Sequence, residues 1–135
     1  MVDPWRLNSD AIRSDFVTTS LRHLVTSAMK FHLALGVADI EASVPEYSRR
    51  LGCEPQIVVP NEYALWRTDT VNFSIRRVPA GEAGALRHLG WEDPDADSFS
   101  SETDTNGIVW ERFAAEHQRD EILTIWTTAK DFLKK

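Results

Sequence analysis

The period of the hydrophobic pattern changes twice between Lys30 and Val78, and this constrains the fold more than any other feature of the chain. In KFHLALGV (Lys30–Val37), Phe31, Leu33, Leu35 and Val37 share one face of a strand, while His32, Ala34 and Gly36 share the other. DIEASVPEYSRRLG then switches to helical spacing, with Ile40, Val44, Tyr47 and Leu51 on one side. Asp39 suits the N-cap, Gly52 the position just past the C-terminus, and Arg49 and Arg50 complement the dipole in the last turn. Pro45 is the flaw: it must lie in or near the first turn, or kink the helix. The period returns to two in PQIVVP, EYALWRT and TVNFSIRRV, separated by Pro60-Asn61 and Thr68-Asp69. A β-α-β-β-β order predicts an α+β fold.

Beyond it, PAGEAGA reads as a loop and LRHLGWE as a strand. DPDADSFSSETDTNG (93–107) is a polar connection with room for one helical turn, and IVWERF is another strand. The chain closes on a predicted helix, residues 115–135, whose apolar face carries Ala115, Gln118, Ile122, Ile125, Trp126 and Ala129. Residues 1–28 form an N-terminal extension in which Ile12, Phe16, Leu21, Leu24 and Val25, continued by Met29, fall near one helical face. The predicted architecture is a βαβββ module with a curved, mixed, mostly antiparallel sheet, a shortened second half and a C-terminal helix. Its compact domain spans 29–114.

Charge and composition exclude several functions. A formal net charge of −6 argues against nucleic acid as a partner, because duplex binding needs a concentrated basic surface. The longest apolar runs are too short to span a bilayer. MVDPWRLNSD lacks the basic and apolar segments of a secretory leader, and Cys53 stands alone, so a reducing cytoplasm is the expected setting.

Three strands carry a polar residue of the kind that binds metals. His32 shares a face with Ala34 and Gly36; His88 shares one with Gly90 and Glu92; Glu111 shares one with Val109 and Phe113. Each histidine alone is most simply a hydrogen-bonded side chain, and a strand glutamate is usually solvated. Together they compose a set of two histidines and one carboxylate, which leaves metal positions for water and substrate. Such a set suits Fe(II), Mn, Ni or Zn. The small residues at i+2 from each histidine suggest space for a ligand.

FHLALGVADIEASVPEYSRRLG, the three strands after it, LRHLGWE and DTNGIVWERF together resemble the vicinal oxygen chelate superfamily. That group includes glyoxalase I, bleomycin-resistance proteins and extradiol dioxygenases. The likeness covers roughly residues 30–114 and implies a glyoxalase-like fold built of two βαβββ modules. It places His32, His88 and Glu111 on the family's metal positions. It implies a divalent metal that binds vicinal oxygens of a small molecule, in a lyase, isomerase or dioxygenase. The metal would stabilise an enediolate, or as Fe(II) would bind O₂ beside the substrate. A homodimer is implied by the same likeness. The departure is the short 93–107 segment, where a full second module would place a helix and two strands.

The remaining candidates are secondary. On TVNFSIRRV, Asn72, Ser74 and Arg76 share one face and are assigned to substrate, Arg76 to an anionic group. Trp66 and Phe113 join them as aromatic walls. The sequence assigns no general base; Glu92 is a candidate only because it shares the His88 face. Two rival readings stand beside the enzyme. One is a metal-free binding protein that stacks a flat ligand among some of Tyr63, Trp66, Trp91, Trp110 and Phe113. The other is a structural module whose triad is incidental.

Overall fold

A computed structural model describes residues 29–129. The proposed amphipathic segment within 1–28, and residues 130–135, lie outside the described residues. The elements run β1 (Lys30–Val37), α1 (Ile40–Leu51), β2 (Ile57–Val59), β3 (Tyr63–Arg67), β4 (Val71–Arg77), β5 (Leu86–Glu92), β6 (Ser100–Thr103), β7 (Val109–Phe113) and α2 (Ala115–Ile125). The βαβββ order of the first half is as the sequence predicts. Helix α1 begins at the Asp39 cap, whose side chain accepts from the Ala42 N–H, and ends at Gly52 with φ 75°. Pro45 lies inside it, beyond the first turn, and the helix continues to Leu51.

The seven strands form one curved, unclosed sheet in the order β2-β3-β4-β1-β5-β7-β6. Its two halves repeat one pattern. β1 is parallel to β4, which is antiparallel to β3; β5 is parallel to β7, which is antiparallel to β6. The halves meet where β1 and β5 pair antiparallel, with His32 opposite Gly90 and Ala34 opposite His88. An approximate two-fold between β1 and β5 therefore exchanges His32 with His88, and Ala34 with Gly90. In the 93–107 connection the structure adds a strand that the sequence reading did not contain: β6 supplies one of the two strands thought missing. Its four residues are all exposed, so no apolar face advertised it.

Two apolar layers sandwich the first half. On one face α1 covers Val37, Ala64, Trp66 and Ile75. On the other, Ile122 and Ala129, flanked by Leu123 and Trp126, cover Ile57, Val59, Tyr63 and Leu65. Strand β3 lies between these layers, which is why Tyr63, Ala64, Leu65 and Trp66 are all buried and its sequence shows no polar face. Helix α2 stops at Ile125, well short of the predicted end; its C-cap, Trp126, is extended. The buried residues of α2, Gln118 and Ile122, lie on its predicted face. No described helix is long and apolar enough to cross a membrane.

Candidate metal centre

Strand alternation delivers the three ligand-type side chains to one point. His32 comes from β1, His88 from β5 and Glu111 from β7, three neighbouring strands of the sheet. His88 Nε2 lies 2.9 Å from His32 Nε2 and 2.9 Å from Glu111 Oε1, and His32 Nε2 is 3.8 Å from the same oxygen. A metal with bonds of about 2.1 Å holds adjacent ligand atoms about 3.0–3.4 Å apart, so the three atoms frame a space of the right size. His32 is buried, while His88 and Glu111 keep partial exposure on the cleft side. One wall of this centre is aromatic: Phe113 packs edge-on to His32 at 4.9 Å and stacks with Phe99 at 5.7 Å.

A buried polar chain orients His32. Its Nδ1 lies 2.8 Å from Asn72 Oδ1. The Asn72 amide nitrogen is committed as a donor to Glu92 Oε1 and Gln118 Oε1. Asn72 Oδ1 must therefore accept, so His32 carries its proton on Nδ1 and turns a bare Nε2 lone pair toward His88 and Glu111. Burial chiefly holds the His32 imidazole below its ordinary pKa, helped by His88 and opposed by Asn72 and Glu111, so the ring is neutral at pH 7. That is the ligand form. Asn72→Leu is expected to lower metal affinity about 10–100-fold through the freed ring, as orienting partners typically do. It should also cost about 1–3 kcal/mol of stability from polar groups left unpaired. Metal titration and denaturant melts check the two effects separately.

Gly90 has a role other than the one expected. The space beside it, expected to hold a ligand, is filled by the chain itself. A Cβ on Gly90 would press on the Glu111 carbonyl oxygen and lie 2.9 Å from the Glu111 nitrogen. The absent side chain lets β7 approach β5 and so sets the depth of Glu111.

The other predicted residues divide. Ser74, Arg76 and Phe113 line the same cleft as the triad. Ser74 pairs with Ala34 as Glu111 pairs with Gly90, so it is the two-fold counterpart of Glu111. Asn72 is fully buried and contacts His32 instead of the cleft. Trp66 is fully buried in the α1 layer, its indole N–H donating to Ser48 Oγ at 3.1 Å. Glu92 sits four residues from His88, about 13 Å along the strand at ~3.3 Å per residue. Arg67 grips both of its oxygens at 2.8 and 2.7 Å. Burial opposes its charge, but Arg67 and Asn72 together hold its carboxyl below the usual range. A carboxylate so held is a structural anion and a poor base. Of the five aromatic residues named for the binding-protein reading, Tyr63 and Phe113 line the cleft, joined there by Phe99 and Trp126. Trp91 and Trp110 stand around Phe31 on the opposite face.

Several cleft residues escaped the sequence reading. Helix α2 brings Gln118, Glu121 and Ile122 over the opening of a cavity of about 110 Å³. Partial desolvation at the α2 rim, and the Glu111 charge after it, push the Glu121 carboxyl above its ordinary pKa, against the pull of His88, Arg87 and Arg76. Arg87 also lines the cleft, beside Arg76.

No protein-family model and no curated protein matches the sequence. A solved structure of a hypothetical protein from Staphylococcus aureus is similar at 14% identity and a TM-score of 0.46, over 74% of this chain and 39% of that one. The chain thus spans less than half of that protein's length.

Proposed function

We propose that the chain is a small metal-dependent enzyme of the vicinal oxygen chelate type, with a divalent ion on His32, His88 and Glu111. The observation that supports this most is the convergence of these three ligand atoms from three separate strands. The donor set is all nitrogen and oxygen, which suits Fe, Mn, Ni or Zn. Cys53 packs against the α1 layer on the other side of the sheet, so no thiolate joins it. When bound, the ion supplies Lewis acidity toward two neighbouring oxygens of a small molecule. The chain does the rest. Asn72 holds the His32 ring, Phe113 and Phe99 keep one side dry, and α2 closes over the cavity. Glu121 is the cleft carboxylate best placed to take or return a proton, in the role first given to Glu92.

Metal analysis of the purified protein beside a His32→Ala/His88→Ala double variant tests the reading. About one equivalent is expected in the wild type and none in the variant; equal content in both would sink it. Chelation should also lower the wild-type Tm. A ligand at a hundredfold excess over its Kd stabilises the folded state by about 2.7 kcal/mol.

A further inference from the structure

We propose that Arg76 and Arg87 form a carboxylate clamp in the cleft, and that the molecule bound there is a short oxygen-rich acid. On the metal reading above, on which this rests, its vicinal oxygens face His32, His88 and Glu111 while its carboxylate meets the two guanidinium groups.

The backbone gives Arg87 this position by a local irregularity. Strict alternation on β5 would send Arg87 to the face opposite His88. The register with β1 slips there: Ala34 pairs with His88 but Leu35 pairs with Leu86, so Arg87 is the extra residue of a β-bulge. Bulges re-aim side chains, and this one turns Arg87 into the cavity that His88 also lines. Arg76 arrives from β4, two residues past Ser74 and so about 7 Å along the strand. Its guanidinium lies over the Trp126 ring at 5.2 Å, which leaves the N–H edge available for bonding.

Neither group has a partner among the described residues, although the chain pairs arginines freely elsewhere. Arg50, Arg67, Arg77 and Arg112 each grip a carboxylate. Arg76 and Arg87 are half-buried and make no ion pair or hydrogen bond among the described residues. Burial first, and the Arg76 charge after it, disfavour the charge on Arg87, and Tyr63, Glu111 and Glu121 offset this only in part. Two like charges held together in a part-buried wall are best compensated by an anion that contacts both. Glu111 is engaged by the histidines, and Glu121 lies exposed at the α2 rim. With a divalent ion in place the cleft is net positive, which again selects an anion. Size sets the upper bound. A cavity of about 110 Å³ is smaller than the ~150 Å³ that accepts the six carbons of benzene, so about four or five non-hydrogen atoms of the acid lie inside the walls and the rest stay at its open mouth.

Glycerate and its neutral analogue glyceramide are the probes, titrated by NMR against protein stripped of metal and against protein loaded with Zn(II). In the stripped protein glycerate should bind at least tenfold more tightly than glyceramide. Arg87→Met and Arg76→Met, which keep the apolar stem, should each weaken glycerate about tenfold and leave glyceramide unchanged. Arg87→Lys should recover only part of the loss, because an ammonium lacks the fork. Zn(II) should tighten glycerate further in the wild type. Equal affinity for the two probes, or glycerate binding indifferent to both methionine variants, overturns the clamp. If the arginine effects hold but Zn(II) neither binds nor tightens glycerate, the clamp stands and the metal reading fails.

Discussion

Glu111→Ala is expected to abolish stoichiometric metal binding while the protein still folds. In the proposed site the carboxylate is one of three ligands among the described residues, and its removal would leave two imidazoles that cannot hold a divalent ion against solvent. The loss should exceed the roughly 100-fold that accompanies damage to an orienting partner. Glu111→Asp separates position from charge. It keeps the anion but withdraws it by one methylene, far beyond the ~0.2 Å that ligand distances tolerate. Intermediate affinity is therefore expected, and isothermal titration of the stripped proteins with Zn(II) measures all three. An alanine variant that binds Zn(II) as the wild type does would remove Glu111 from the site.

Gly90→Ala is expected to have the largest effect on folding of any single methyl added to the sheet. The new Cβ meets backbone on β7, and backbone cannot turn aside as a side chain can. Overpacking of this kind costs about 3 kcal/mol, the upper end of the usual range, and should lower Tm by roughly 10 °C. The strand shift that relieves it would carry Glu111 away from the histidines, so metal affinity should fall as well. Gly81→Ala is the control. Its Cβ would meet nothing within 4 Å, so Tm should hold or rise slightly. Equal melting temperatures for Gly90→Ala and wild type would mean that β5 and β7 are not so closely apposed.

The triad was legible because its three strands obey simple alternation where the ligands sit. Phe31 and Trp110 go to one side, and His32 and Glu111 to the other, as period two requires. Arg87 was not legible, because a bulge breaks that alternation one residue before His88 and nothing in LRHL announces it. Trp66 lies in the α1 layer and not in the cleft, and β3 is buried on both faces. Its alternation therefore cannot say which neighbour, α1 or α2, each side chain meets. β6 was invisible for the opposite reason: Ser100 to Thr103 bury nothing and are a strand only through pairing with β7. Glu92 shows the limit of reasoning by face alone. It lies on the same side as His88, yet Arg67, from β3 three places away in the sheet, takes both its oxygens.

The central claim is that His32, His88 and Glu111 share one ion, and anomalous diffraction from crystals grown with Zn(II) tests it most directly. Data collected on either side of the zinc edge should show one strong site in the cleft. That peak should lie about 2.0–2.2 Å from His32 Nε2, His88 Nε2 and a Glu111 oxygen together. A cleft without a peak at saturating Zn(II), or a peak bonded to only one of the three residues, would contradict the account.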